Sequence, residues 1–133
     1  MRVEWAVISR YAESAGGLAT LVGAGIDTYH VPELPAELVV PLTIQLKAHQ
    51  SEMTGSHEVR IRILDDGMEQ VGEDAALSFE GELNPGLPEG WEAGALFTVL
   101  NRFTVQREGP YTISIEVDGQ HSGAAGFRVV ETD

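Results

Sequence analysis

The chain has 133 residues, with 8 basic and 21 acidic side chains and a formal net charge of −13. This length predicts a single domain over residues 1–133 that folds without covalent staples. The chain has no cysteine, which excludes disulfides, thiolate metal sites and cysteine nucleophiles. The acidic balance argues against nucleic acid and anionic membranes as partners, and it favours solubility or a basic protein partner.

Alternation of apolar and polar residues predicts about eight short strands and almost no helix. One short helical turn is predicted at residues 10–15, and loops are predicted at residues 49–56 and 83–94. This pattern favours an all-β fold, an antiparallel immunoglobulin-like sandwich. The predicted strands are residues 3–8, 18–22 continuing through a glycine bend to 31, 38–46, 59–63, 71–79, 97–105, 111–117 and 127–130.

Three features refine this prediction. Asp118-Gly119 has the composition of a two-residue hairpin turn, which requires positive φ. Pro41 lies within the longest alternation and predicts an edge strand or a bulge there, because proline cannot donate to a ladder. Tyr111 opens a late strand, the position of the conserved tyrosine of immunoglobulin-like folds, although a core tyrosine with its hydroxyl at the rim fits equally well.

No motif in the sequence predicts a cofactor, a metal centre or catalysis. Gly23-Ala24-Gly25 lacks the third glycine and the helix of a dinucleotide-binding turn. His57-Glu58 begins like a zinc-protease helix, but Ile61 occupies the position of the second histidine. The acidic residues near Asp66 leave calcium as an alternative, because carboxylates from separate loops can converge at one end of a sandwich.

Six residues are predicted to form an interaction surface, because exposed Arg, Tyr and Trp anchor many interfaces. An alternative explanation for part of this set is a buried structural corner, in which Arg10 pairs with Glu13 or Asp27 and nearby glycines allow a tight bend. Trp5 alternates within a strand and is expected in the core. The six predicted surface residues are Arg10, Tyr11, Glu13, Asp27, Tyr29 and Trp91.

Several runs resemble a family of small bacterial proteins of unknown function that is common in actinobacteria. The similarity is most specific between Trp5 and Asp27, and it implies a bacterial protein of the cytoplasm. The resemblance carries no catalytic residue to this chain. The runs are R-V-E-W-A-V-I-S-R-Y-A-E (2–13), G-G-L-A-T-L-V-G-A-G-I-D-T (16–28), V-P-E-L-P (31–35) and G-P-Y-T-I-S-I-E-V-D-G-Q (109–120).

These observations predict a non-catalytic protein-binding or assembly module, which could form a homo-oligomer through an exposed sheet edge. A metal- or small-ligand-binding accessory domain, with calcium first, is the alternative. The third possibility is an enzyme whose site forms only on folding or assembly. A protein-binding module predicts exposed Tyr or Trp beside a sheet edge. A metal- or ligand-binding domain predicts carboxylates that converge at one end of the sandwich, and an enzyme predicts a deep pocket with histidine beside a carboxylate.

Overall fold

The computed structural model describes residues 1–132, which form ten strands and one short helix. Residues 1–132 contain no helix that could cross a membrane. The elements are β1 (Arg2–Ile8), β2 (Tyr11–Ala15), β3 (Leu18–Val22), β4 (Thr28–Val31), β5 (Ala36–Ala48), α1 (Gln50–Met53), β6 (Gly55–Leu64), β7 (Ala75–Gly81), β8 (Ala93–Val105), β9 (Gly109–Val117) and β10 (Gln120–Glu131).

Two larger sheets face each other across one core. The first has the strand order β1-β5-β8, the second has the order β4-β10-β9-β6-β7, and β2 and β3 form a separate hairpin. The all-β prediction is therefore confirmed, with ten strands rather than eight. The pairing of β4 with β10 is parallel, which corrects the expectation of a purely antiparallel fold. Side chains from both sheets fill the core, among them Leu42, Ile44, Leu46, Ile61, Ile113 and Ile115.

β5 is the central strand of the first sheet, so the prediction of an edge strand at Pro41 is wrong. β5 pairs with β1 on one side and with β8 on the other. Proline is accommodated because β1 ends at Ile8, opposite Leu42. The carbonyl of Pro41 accepts a hydrogen bond from the N–H of Ser9 at 3.2 Å. The missing N–H of the proline therefore falls where β1 leaves the sheet.

The segment from residue 18 to residue 31 is two strands rather than one bent strand. β3 belongs to the hairpin, whereas β4 pairs in parallel with the end of β10, from Thr28 opposite Arg128 onward. Gly23 and Gly25 lie between them with φ of 65° and 93°, a conformation that glycine adopts without steric cost. The glycines therefore form the connection between two strands of different sheets. They are not a bulge within a single strand.

The predicted closing hairpin is confirmed. Asp118 and Gly119 both have positive φ, and they connect β9 to β10 with Val117 opposite Gln120. By contrast, the helical turn predicted at residues 10–15 is wrong, because these residues form the connection to β2 and β2 itself. The helix that is present, α1, lies in a predicted polar loop and is capped by His49, whose Nδ1 accepts from the N–H of Ser51.

Candidate interaction surface

The hairpin β2–β3 is a regular five-pair ribbon with a tight glycine turn. Its pairs run from Tyr11 opposite Val22 to Ala15 opposite Leu18. Gly16 and Gly17 form the turn with φ of 61° and 77°, so both central residues are left-handed, as in a type I′ turn. Turns of this type match the twist of the strands that they join, and a well-formed ribbon results.

The base of the hairpin is fixed to the end of β1 by backbone hydrogen bonds. The N–H of Arg10 donates to the carbonyl of Val22, and the N–H of Gly25 donates to the carbonyl of Ile8. The buried hydroxyl of Ser9 donates to the carbonyl of Tyr11 at 3.0 Å. Both chain segments that enter and leave the hairpin are therefore held, and the ribbon is a positioned element rather than a free arm.

One face of this hairpin packs against the outer side of the first sheet, away from the core. β2 contacts β5 and β8, and β3 contacts β8. The half-buried positions of the ribbon include Ala12 and Ala19, whose small side chains allow a close approach. Below it, Thr43 is fully buried although it points away from the core, and its hydroxyl lies 3.0 Å from that of Thr98.

The opposite face of the hairpin is exposed and largely apolar. Tyr11, Leu18 and Val22 have 53%, 76% and 54% of their surface exposed, respectively. Glu13 lies between them, and its carboxylate accepts a hydrogen bond from the hydroxyl of Tyr11 at 2.9 Å. This bond raises the pKa of Tyr11. Monomeric proteins rarely leave grouped large apolar side chains in water, so this face is the candidate site for an interaction.

Two further exposed apolar residues lie on the same side of the molecule, beyond the base of the hairpin. Val39 and Leu100 point away from the core and are 40% and 61% exposed. Leu100 pairs with Pro41, which is bonded to Ser9 just before the hairpin begins. We call the outer face of the hairpin, together with the outward positions of β1, β5 and β8, the hairpin face.

The outer side of the second sheet is different, because charged side chains pair across its strands. Arg62 bonds Glu116 at 2.9 Å and Asp74 at 3.2 Å. Arg60 lies 3.1 Å from Glu58 and 3.6 Å from the same Asp74. The cationic outer face predicted for this strand is present, but its charges are neutralised by neighbours. This side is a solvated polar surface with satisfied charges.

Two of the six predicted surface residues, Tyr11 and Glu13, lie on the hairpin face, and Arg10 lies beside it at the base of the hairpin. Arg10, Tyr11 and Glu13 are all exposed, and Tyr11 and Glu13 share the outer face of β2. The ion pair of the alternative buried corner is wrong, because among residues 1–132 no carboxylate lies within ion-pair distance of Arg10. The side chain of Arg10 lies beside Gly23 instead. A β-carbon added at Gly23 would come within 3.1 Å of the β-carbon of Arg10. The tight glycine bend of that alternative is present, with φ of 65° at Gly23 and 93° at Gly25.

Asp27 and Tyr29 lie apart from the outer face of the hairpin, at β4. Asp27 is exposed and accepts a hydrogen bond from the hydroxyl of Thr28. Tyr29 packs edge-on against Phe127, and burial raises its pKa. Arg10 and Tyr29 both line a cavity of about 320 Å³ between β4 and the end of β1. The structure thus brings Arg10 near Tyr29, but it leaves Asp27 on the surface with a local role.

Trp91 is exposed, as predicted for a contact residue, but it lies in the loop before β8. Its indole is 66% exposed, and the neighbouring Glu92 pairs with Arg2. Trp5 was expected in the core. It is instead half-buried on the outward side of β1, because it pairs with Gln45, which alternates with core residues of β5. Trp5 therefore belongs to the hairpin face.

Residues 1–132 contain no group of three or more His, Asp or Glu side chains that is arranged to hold a metal ion. In the acidic turn, Asp65 accepts bonds from the N–H groups of Glu69 and Gly67 and from Arg107, contacts that lower its pKa. That carboxylate caps its own turn. His57 lies beside a carboxylate, Asp118, but both of its ring nitrogens are already bonded.

The sequence prediction missed Leu18 and Val22, which complete the exposed face with Tyr11. Residues 18–22 were predicted as extended, but the strand was continued to residue 31 and its outward side was not predicted. The signal that could have identified them is the pair Gly16-Gly17, which fixes the register so that Leu18 and Val22 share a face with Tyr11.

Fold and surface together define an all-β protein of two facing sheets that carries an anchored ribbon with an exposed apolar face. No curated protein matches the chain. Residues 4–130 match the model of a family of unknown function, DUF6941, and the chain belongs to that family. The expected resemblance to a family of unknown function is thereby confirmed, whereas bacterial origin and a place in the cytoplasm stay predictions.

Proposed function

We propose that this protein is a non-catalytic module that binds protein through the hairpin face. The observation that carries the proposal is the exposure of Tyr11, Leu18 and Val22 on one side of a hairpin whose base is anchored. Burying these side chains against a partner removes apolar surface from water, at roughly 25 cal/mol per Å². A preformed ribbon also loses little conformational entropy on binding.

We propose further that the scaffold is an immunoglobulin-like sandwich. In that fold, strands A, B and E lie in one sheet and C, F and G in the other, with C′ added beside C in variable-type domains. Here β1, β5 and β8 correspond to A, B and E, and β6, β7, β9 and β10 correspond to C, C′, F and G. This assignment leaves strand D without a counterpart and makes the β2–β3 hairpin an insertion after the first strand.

Tyr111 supports the same assignment. It lies near the start of β9, the strand that corresponds to F, and its hydroxyl donates to the carbonyl of Arg107 at 2.6 Å. In immunoglobulin-like folds, a conserved tyrosine at this place bonds the backbone a few residues upstream. The ring stacks on Phe127 in the core, with centroids 5.4 Å apart. The tyrosine thereby ties the loop before β9 to the core.

Site-specific photo-crosslinking in the cells that produce the protein tests the contact function. A photoreactive phenylalanine analogue replaces Leu18 in one variant and Ser78 in a control. Ser78 is also exposed but lies on β7, in the second sheet. We expect a discrete crosslinked species from position 18 and none from position 78, because only the first lies on the proposed surface.

A second substitution makes this result specific. Val22→Lys places a charge on the same face at an exposed position, so it should abolish the crosslink from position 18 while the protein stays folded. A crosslink that persists with this variant, equal yields from both positions, or no discrete species at all would refute the proposed function.

A further inference from the structure

We propose that the partner of the hairpin face is the same face of a second copy of this chain, in a two-fold symmetric dimer. The inference rests on the proposed function and specifies its partner. Closed two-fold dimers use one surface patch on both subunits, so the patch must be compatible with itself in shape and charge. The hairpin face meets the charge part of this requirement, because the basic and acidic side chains on and beside it balance.

Charge is the first argument. The hairpin face, the groups paired with it and the adjacent Arg10 include four of the eight basic residues and only four of the 21 acidic ones, so this side of the molecule has no net charge. The other four basic and 17 acidic residues carry the whole charge of −13. The charged residues of the hairpin face are Arg2, Lys47 and Arg102 with Glu13 and Glu37, together with Glu4 and Glu92, which both pair with Arg2. Arg10 is counted with them because it lines a cavity with the outward residues Val39 and Pro41 of β5.

This distribution favours a second copy over a basic partner. Two chains of charge −13 repel each other, and the repulsion is smallest when their neutral sides meet. A basic protein would instead be drawn to the acidic sides of the molecule. The sequence suggested a basic partner from net charge alone, but the apolar side chains that a partner would bury lie where the acidic residues are fewest.

The composition of the patch is the second argument. The cores of interfaces are depleted in charge and enriched in aromatic residues, and Tyr11 lies in the patch with Trp5 at its edge. Two of the charged residues, Glu37 and Arg102, already pair with each other at 3.4 Å. Arg10 has no carboxylate partner among residues 1–132, so its guanidinium is available for a contact with a second copy.

An interface of standard size needs only a small part of the surface of this protein. A stable interface of standard size covers roughly 800 Å² on each partner. This protein exposes 7843 Å², so such an interface needs about a tenth of its surface. The outer face of the hairpin supplies the centre of that area, and the outward positions of β5 and β8 near Val39 and Leu100 extend it.

Light scattering coupled to size-exclusion chromatography of the purified full chain tests the inference. At roughly 100 µM, where a dimer with a micromolar dissociation constant is nearly complete, we expect twice the chain mass of 14.3 kDa. Leu18→Asp should give the mass of a single chain. The control Ser78→Asp adds the same charge at another exposed position and should remain a dimer. Circular dichroism melting of all three proteins verifies that each is folded.

Salt dependence provides a second measurement. Because the contact is neutral and apolar while the two subunits repel through their acidic sides, raising salt from about 50 to about 500 mM should strengthen the dimer. A contact between an acidic and a basic surface would weaken instead. A dimer that dissociates as salt rises would therefore contradict the proposed interface.

The outcomes separate this inference from the function on which it rests. A wild-type chain of 14.3 kDa at this concentration overturns self-association. If position 18 then crosslinks a different protein in cells, the contact function stands and only the choice of partner falls. A dimer that Leu18→Asp leaves intact would also overturn the inference, because the contact would then lie on another surface, such as the unpaired edge of β8.

Discussion

The Nδ1 atom of His57 lies 2.7 Å from a carboxylate oxygen of Asp118, although 61 residues separate the two in the chain. The other oxygen of Asp118 accepts the N–H of Glu58, and the Nε2 atom of His57 lies 2.9 Å from the carbonyl of Met53. Both ring nitrogens thus face acceptors, an arrangement that the protonated imidazolium satisfies best. The contact fastens the β9–β10 turn to β6 and the end of α1.

The stability contributed by this pair should depend on pH. The bond to Asp118 raises the pKa of His57, and the same bond lowers the pKa of Asp118. The contribution of His57 to folding stability is therefore fully present below the pKa of histidine in the unfolded chain, about 6.5. It is lost as pH rises through the higher pKa of His57 in the folded protein. The contribution of Asp118 is complete above about 3.9 and is lost as pH falls through the lower folded pKa.

We therefore expect His57→Gln to lower the free energy of unfolding by about 1 kcal/mol near pH 5.5, a figure reduced because Asp118 is half exposed. Near pH 8.5 the loss should be smaller, since the wild-type imidazole is then largely neutral. Urea denaturation at both pH values measures the difference. Ser78→Ala on the neighbouring strand should show no such pH effect. An equal loss for His57→Gln at both pH values would contradict the assignment of a charged pair.

The tyrosines Tyr111 and Tyr29 provide a matched test, because only one has a partner for its hydroxyl. The hydroxyl of Tyr111 donates to the carbonyl of Arg107. The hydroxyl of Tyr29 is buried and has no hydrogen-bond partner among residues 1–132. We expect Tyr111→Phe to cost about 1 kcal/mol and Tyr29→Phe to be neutral or stabilising. Thermal melting ranks the two variants, and a costly Tyr29→Phe would mean that its hydroxyl has a partner in solution.

Two glycines of β10 should respond differently to alanine. At Gly123, where β10 passes close to β1, an added β-carbon would lie 2.5 Å from the β-carbon of Val3. At Gly126, an added β-carbon would have no neighbouring atom nearer than 3.8 Å. Gly123→Ala should therefore destabilise the protein by about 1–3 kcal/mol, because β1 must move. Gly126→Ala should be close to neutral. Similar midpoints in a denaturant titration would show that β1 is not held against β10.

Gly23 should control how the hairpin is set on the sheet. It has φ of 65°, and a β-carbon there would press on the β-carbon of Arg10 at 3.1 Å. We expect Gly23→Ala to cost about 1–3 kcal/mol and to displace the base of the ribbon. In the light-scattering experiment it should weaken the dimer more than Gly126→Ala does. A dimer of unchanged strength would show that the contact does not need this anchoring.

The sequence predicted best those elements whose pattern is produced by local burial. β5, β6 and β9 alternate because their core-facing residues, such as Ile44, Ile61 and Ile113, are fully buried. Asp118-Gly119 was recognised because positive φ is a local requirement that few residues meet. In both cases, the physical cause and the sequence signal lie within a few residues of each other.

β2 was missed for the opposite reason. Its sequence, Y-A-E-S-A, contains residues that favour helix, and only pairing with β3 and packing on β8 make it a strand. A period of two does not by itself indicate which face of the hairpin meets the sheet. The outward side follows only when the residue type of Tyr11 is combined with the register that the Gly16-Gly17 turn sets, because Leu18 and Val22 alone resemble ordinary core residues.

The parallel pairing of β4 with β10 has a consequence for how the chain reaches its native state. Thr28 and Arg128 are neighbours in the sheet although 100 residues separate them, and the guanidinium of Arg128 bonds the hydroxyl of Thr28. During synthesis, β4 emerges long before its partner exists, and the loop to be closed spans most of the chain. Folding should therefore be slow, on the order of milliseconds to seconds, and the sheet is completed only after β10 has emerged from the ribosome.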